Sequence, residues 1–246
     1  MDITIHIPTL PFPPIFIPIG IVVAMNLALA WRTWIGNKRH PTNIFFALTA
    51  LMAALWTFAS IVFHITVLTP LLTGILARIA YIAPILIAFF FFLFSCHLGY
   101  QIFPLKRWHV RALIISALIM SVIIILPNVF LAWPVPPDRY LKPEISVFWH
   151  VVFAIYFTTV MLLAFYVLFI KSIKMDGFWK KRAKQCFIAT IVAFIGGSAF
   201  NLWFALIRDD SLTWVGPIFT VFMAIYIWYH IFWVPGRIPE SCRQRR

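Results

Sequence analysis

Apolar residues in this chain do not alternate with polar ones. They run on for twenty positions or more, interrupted by short clusters of charge and proline. A helix rising 1.5 Å per residue needs about 20 mainly apolar residues to cross the hydrocarbon of a bilayer. Seven stretches meet that requirement: residues 15–34, 43–68, 79–100, 112–131, 145–170, 186–207 and 211–234. Membrane barrels show segments of about ten residues with period-two alternation, and this sequence has none. The pattern predicts an all-α polytopic membrane protein, a bundle of seven transmembrane helices. Residues 12–234 form the membrane domain, between an extracytoplasmic segment 1–11 and a basic cytoplasmic tail 235–246.

Composition narrows the class. Of 246 residues, 63% are hydrophobic and 11% charged, with a mean hydropathy of +0.96, which excludes a soluble globular domain. An aromatic content of 18% excludes disorder. Prolines mostly mark span borders, as at Pro41, Pro70, Pro104 and Pro127, whereas Pro84 and Pro217 fall inside spans and are expected to kink them. Five prolines between Pro8 and Pro18, and no basic residue near Met1, argue against a signal peptide. Cys96, Cys186 and Cys242 map to the inner side and are expected to be lone thiols.

The net charge of +13 is a topology signal. With the N-terminus outside, 16 of the 20 basic residues fall on the inner side and 4 on the outer. The positive-inside rule then predicts an inner (cytoplasmic) membrane protein with its N-terminus outside and its C-terminus in the cytoplasm. Trp34, Trp108, Trp179, Trp228 and Trp233 would form the inner aromatic belt, and Trp133, Trp149 and Trp214 the outer. The basic clusters lie flush against the bilayer, so their expected partners are membrane lipids with anionic headgroups, and no nucleic acid. Lys171, Lys174, Lys180, Lys181, Arg182 and Lys184 place six cations within fourteen residues, as a topology determinant or as a docking surface for a lipid or partner.

Little of this chain suggests catalysis. The seven histidines show no i, i+4 pair, and no span carries an acid at mid-depth, so neither a metal nor any other cofactor is expected. No lysine lies inside the last span, which excludes a retinal Schiff base. Ser60, Ser95, Ser116, Ser121 and Ser198 have no base at helical spacing, so an enzyme is not expected, and such hydroxyls normally bond the i−4 carbonyl. Small residues recur on two faces: Ala189, Ala193, Gly197 and Asn201 in the sixth span, and Asn43, Ala47, Ala50 and Ala54 in the second. Close helix approach explains the small residues, while Asn201 is open to an interhelical hydrogen bond or a ligand contact.

Several stretches, taken in order, resemble the N-terminal seven-helix region of membrane histidine kinases, a module also found before diguanylate cyclase domains. They are Asn43–Leu48 with Ala54-Leu55-Trp56, Arg78–Tyr81 with Pro84, Lys184-Gln185 with Gly196-Gly197 and Asn201, and Trp214–Pro217 with Tyr226–Tyr229. The resemblance implies a membrane-embedded sensor or signal-input module responding to an unknown small ligand or lipid. In that family the last helix usually continues into an output domain. Here Pro235-Gly236 and a short tail follow instead, so the expected reader is a separate cytoplasmic kinase or cyclase. A small-solute transporter or channel subunit is the alternative, although no internal repeat or intramembrane charge supports it.

Sensor input arrives from outside or from within the bilayer, so the recognition site is expected in the outer half of the bundle. Its candidate residues are Trp56, His64, Arg78, Tyr81, His150, Asn201 and Trp203. Arg78 stands where a cation needs a partner: Asp209 or Asp210, the interface, or an anionic ligand.

Overall fold

A computed structural model describes residues 16–60, 69–99, 106–131, 145–203 and 215–233. They form seven α-helices: α1 (Phe16–Gly36), α2 (Pro41–Ser60), α3 (Pro70–His97), α4 (Arg107–Ile125), α5 (Val147–Lys174), α6 (Gly177–Ser198) and α7 (Val215–Trp228). Two π-helical turns extend the last pair, Ala199–Trp203 after α6 and Tyr229–Trp233 after α7. With these extensions all seven helices are long and apolar enough to cross a membrane.

Local chemistry sets the borders. Pro41 and Pro70 open α2 and α3, where a missing N–H is harmless. The Thr69 hydroxyl accepts from the Leu72 N–H at 3.4 Å and caps α3. Asn37 makes the turn between α1 and α2, its side-chain oxygen accepting from the Arg39 and His40 amides. At the other end of α3, Gly99 adopts φ +66°, and a Cβ there would press on Met175 and the Trp179 ring.

Several spans start or stop away from their hydropathy limits. The third begins at Pro70 and the sixth at Gly177, each nine residues before the expected first residue. Lysine and arginine are good helix formers, so the basic run Lys180–Lys184 continues α6 although it lowers hydropathy. Conversely α4 ends at Ile125, because Pro127 and Asn128 (φ 59°) turn the chain back. Residues 61–68, the end of the expected second span, lie outside the described residues.

Helix α3 is the axle of the bundle: 72% of its most apolar stretch is buried, against 17% for α4. It packs between α2 and α5, with α4 on its rim, while α6 packs between α5 and α7. The largest core cluster joins Phe46, Phe91, Phe94, Leu168 and Ile227. A second gathers Tyr81, Phe130 and Phe153. Large side chains such as Ile17, Trp31, Phe148 and Phe222 are two-thirds exposed and point away from the core, where a bilayer would meet them. Small residues bring α6 and α7 together. A Cβ on Gly196 would lie 2.6 Å from the Phe219 ring, and one on Gly216 would strike the Asn201 amide. Along α2, Ala47, Ala50 and Ala54 are buried, as the small-residue face requires.

The C-terminus of α3 is closed by side chains from its neighbours. Lys171 of α5 is wholly buried, and its ammonium donates to the Cys96 carbonyl at 2.7 Å and the Leu98 carbonyl at 2.6 Å. Thr42 of α2 donates to the intervening His97 carbonyl at 2.9 Å. These are carbonyls that a helix end leaves without intrahelical partners, at the negative end of the helix dipole. Lys171→Met should therefore destabilise the bundle by about 2–4 kcal/mol, because two buried carbonyls lose their donor at ~1–3 kcal/mol each. Unfolding in mixed detergent checks this, with Lys171→Arg expected to recover part of the loss.

Candidate functional site

Five helices surround an internal cavity of about 120 Å³. Its walls come from the end of α2 (Trp56, Ser60), the middle of α3 (Tyr81, Pro84, Ile87), and the first half of α5 (Phe153, Phe157). The second half of α6 (Thr190, Gly197, Ser198) and the first half of α7 (Thr220, Met223) complete it. In an antiparallel bundle these portions share one end, opposite the end that carries Lys38, Arg39 and the Lys171–Lys184 cluster. That second end is called the basic end below.

Most polar atoms in the wall are consumed by their own helices. Ser60 donates to Trp56 O, Thr190 to Cys186 O and Thr220 to Pro217 O, at 2.7–2.9 Å. Outside the wall, Ser95 and Ser121 bond i−4 carbonyls in the same way, while Ser116 turns to the i−3 carbonyl of Leu113. Ser198 departs from the pattern, since its buried hydroxyl has no hydrogen-bond partner among the described residues. Asn201 lies on the π-helical turn beside it. One Asn201 amide hydrogen goes to the Gly197 carbonyl at 3.0 Å, which leaves the side-chain oxygen as an acceptor. A π-turn adds a residue to the helical circuit, and such bulges often mark functional positions. Here it brings Ser198, Asn201 and Leu202 to the same wall.

Tyr81 adds a third polar group. Its hydroxyl lies 3.4 Å from His150 Nδ1, with the direction of donation set by the imidazole tautomer. His150 is 3% exposed, and its Nε2 has no well-formed hydrogen bond although the Leu202 backbone lies beside the ring. Tyr81 is also packed edge-on against Phe130 at 4.6 Å and Phe153 at 5.2 Å between ring centroids. The result is an aromatic chamber with a few polar atoms at one end, the usual chemistry of a small-molecule site.

Of the residues expected at the site, the structure brings Trp56, Tyr81 and Asn201 to the cavity wall, with His150 bonded behind Tyr81. Trp203 ends the π-helical turn. His64, Asp209 and Asp210 lie outside the described residues. Arg78 sits outside the wall: it donates to Gly74 O at 3.1 Å and to Ile125 O, the last residue of α4, at 3.3 Å. It thus serves the end of a neighbouring helix, as Lys171 does. Ser198, expected to bond its i−4 carbonyl like the other span serines, does not do so and lines the wall instead. Its only signal in the sequence was the run of small residues from Gly196 to Ala199, which looks like packing alone. Among the described residues no group of three His, Cys, Asp or Glu side chains could hold a metal ion.

The Tyr81–His150 contact can be weighed by a double-mutant cycle. Tyr81→Phe, His150→Phe and the double variant should show a coupling of about 0.5 kcal/mol in detergent unfolding, the usual size for interhelical bonds in membranes. Strict additivity would mean that the pair is a packing contact only. Neither a family model, nor a curated protein, nor a solved structure matches this chain.

Proposed function

We propose that this protein is a non-enzymatic sensor, a membrane-embedded input module in which a small ligand occupies the five-helix cavity. The observation that carries the reading is the cavity itself, walled by α2, α3, α5, α6 and α7 with the Ser198 hydroxyl unpaired in its wall. A chamber of about 120 Å³ is close in size to engineered apolar cavities of ~150 Å³ that bind benzene. The preferred ligand is therefore a ring-sized apolar molecule bearing one hydroxyl or carbonyl group. A ligand touching five helices changes their packing only if it binds two packings with different affinity. The π-helical turn of α6 and the close α6–α7 contact are where two such packings would differ. The ordered resemblance to the seven-helix region of histidine kinases supports the same reading, with a separate cytoplasmic kinase or cyclase as the receiver.

A test follows from the wall. In thermal unfolding of detergent-solubilised protein, phenol and short alkylphenols should raise the midpoint, since a ligand at 100 times its Kd stabilises by about 2.7 kcal/mol. Ala193→Phe, which fills the cavity, should abolish the shift while leaving the midpoint of the empty protein near its original value. Ser198→Ala should weaken phenols more than toluene. If Ala193→Phe leaves the shift intact, ligands bind elsewhere and the cavity is not the input site. Uptake of solute by liposomes containing the protein would favour the transporter reading.

Orientation forms part of the proposal: N-terminus outside, C-terminus in the cytoplasm, in the inner membrane. It rests on the 16-to-4 division of basic residues. A cysteine placed at Lys38 in a Cys96→Ala/Cys186→Ala/Cys242→Ala background should be labelled by a membrane-impermeant maleimide only after the cells are opened. Labelling in intact cells would reverse the topology.

A further inference from the structure

A second concavity lies at the basic end, between α1, α2 and α7. Its walls include Arg32, Thr33, Gly36, Asn43, Trp228 and Trp233, and it is an open groove of about 590 Å³. Neither the cavity at the other end nor its proposed ligand uses any of these residues.

Three observations describe what it would hold. The first is charge. Arg32 is exposed and forms no ion pair among the described residues, where Asp176, at the α5–α6 junction, is the sole acid. Lys38 and Arg39 follow in the adjoining turn. The second is an unused hydroxyl. Thr49, Thr57, Thr159 and Thr190 all donate to their i−4 carbonyls at 2.7–2.8 Å. Thr33 does not: it is 2% exposed, lies in the groove wall, and its hydroxyl, buried just beneath the surface, has no partner among the described residues. A buried hydroxyl left unpaired is costly, and a ligand oxygen would remove that cost. The third is the scaffold. Asn43 Nδ2 donates to the Thr33 carbonyl at 3.2 Å, tying α2 to the end of α1 beside Arg32. Trp228 and Trp233 lie with ring centroids 5.4 Å apart on the opposite side, and indoles favour the headgroup level of a bilayer. Ile35 and Phe232 supply apolar wall.

A guanidinium, an unpaired hydroxyl and two indole rings, side by side at the end of a bundle, suit a phosphate oxygen better than a cation or a neutral ring. We infer that this groove binds a phosphate anion, with Arg32 and Thr33 as its donors and the headgroup phosphate of an anionic lipid as its source. The apolar wall of Ile35 and Phe232 then lies against the start of an acyl chain. Free phosphate shares the headgroup chemistry and lacks only the chain.

Native mass spectrometry of the full chain in detergent, titrated with phosphatidylglycerol or phosphatidylcholine, tests the site. Phosphatidylglycerol should bind at one tight position, and phosphatidylcholine, whose phosphate carries a choline cation that Arg32, Lys38 and Arg39 repel, should bind it far more weakly. Arg32→Gln should weaken that position about tenfold, as loss of a charge-assisted hydrogen bond does, while Arg39→Gln, outside the groove, should change it little. Thr33→Val should weaken it several-fold and leave the thermal midpoint of lipid-free protein unchanged or raised, because an unpaired hydroxyl is gone. Inorganic phosphate is the comparison arm. Protection by phosphate that Arg32→Gln removes, with no preference for the lipid, keeps the site and assigns it to the free anion. Equal binding of the two lipids, or equal effects of Arg32→Gln and Arg39→Gln, would overturn the site in favour of diffuse surface charge. A Thr33→Val protein that loses stability yet binds phosphatidylglycerol normally would overturn the role of Thr33.

Discussion

Hydrocarbon offers no hydrogen bonds, so every helix end that lies within it must find donors in the protein. The end of α3 is where this constraint is sharpest. Three successive carbonyls there, of Cys96, His97 and Leu98, take their donors from Lys171 of α5 and Thr42 of α2. Because α3 is the central helix, its end fixes how α2 and α5 stand against it, and through α5 where α6 begins. The same solution recurs in smaller form at Ile125, the last residue of α4, which receives Arg78. Two cations that a hydropathy profile treats as span borders are thus interhelical fasteners, each holding one helix by the end of another.

The elements were legible because hydropathy acts over twenty residues and averages out local detail. Their limits were less so. Helix propensity and capping decide where a helix stops, and Lys180–Lys184 propagate α6 as well as leucine would. Lys171 is the plainest case. Sequence alone marks it as the first of six clustered cations, and nothing in the cluster distinguishes the one that is fully buried from its exposed neighbours Lys174 and Lys181. The site was partly legible for a chemical reason. Asn201, Tyr81 and Trp56 are polar or aromatic residues deep in apolar runs, and such residues need partners wherever they fall. Ser198 was not legible as a site residue, because a serine normally satisfies itself on its own helix. Its failure to do so is a property of the π-turn it adjoins, which no spacing rule announces.

Polar chemistry is divided unevenly along the bundle. At the cavity end, hydroxyls and an imidazole lie among stacked aromatic rings, with few charges. The basic end carries the capping cations and the indole pair. At the cavity end α6 and α7 approach through Gly196, Gly197 and Gly216, where the Phe219 ring and the Asn201 amide pack against glycines that have no Cβ to hold them off. Contacts of this kind depend on shape and dispersion, and they lose strength steeply when the surfaces separate by a fraction of an ångström. The α6–α7 seam is therefore sensitive to small changes in the separation of the two helices.

The cap on α3 also bears on how the chain enters the membrane. Many hydroxyls, such as those of Thr49, Thr57, Ser95 and Thr190, are satisfied within their own helices and need no neighbour. Lys171 differs from them: no acid among the described residues neutralises its ammonium, which is held by two carbonyls of another helix. Synthesis runs from the N-terminus, so the acceptors on α3 are already in the bilayer when α5 emerges. Had the two helices been exchanged in order, a cation would have waited in lipid for its partner. In their actual order the acceptors on α3 precede the donor on α5 along the chain, so the pair can close before α6 and α7 are made.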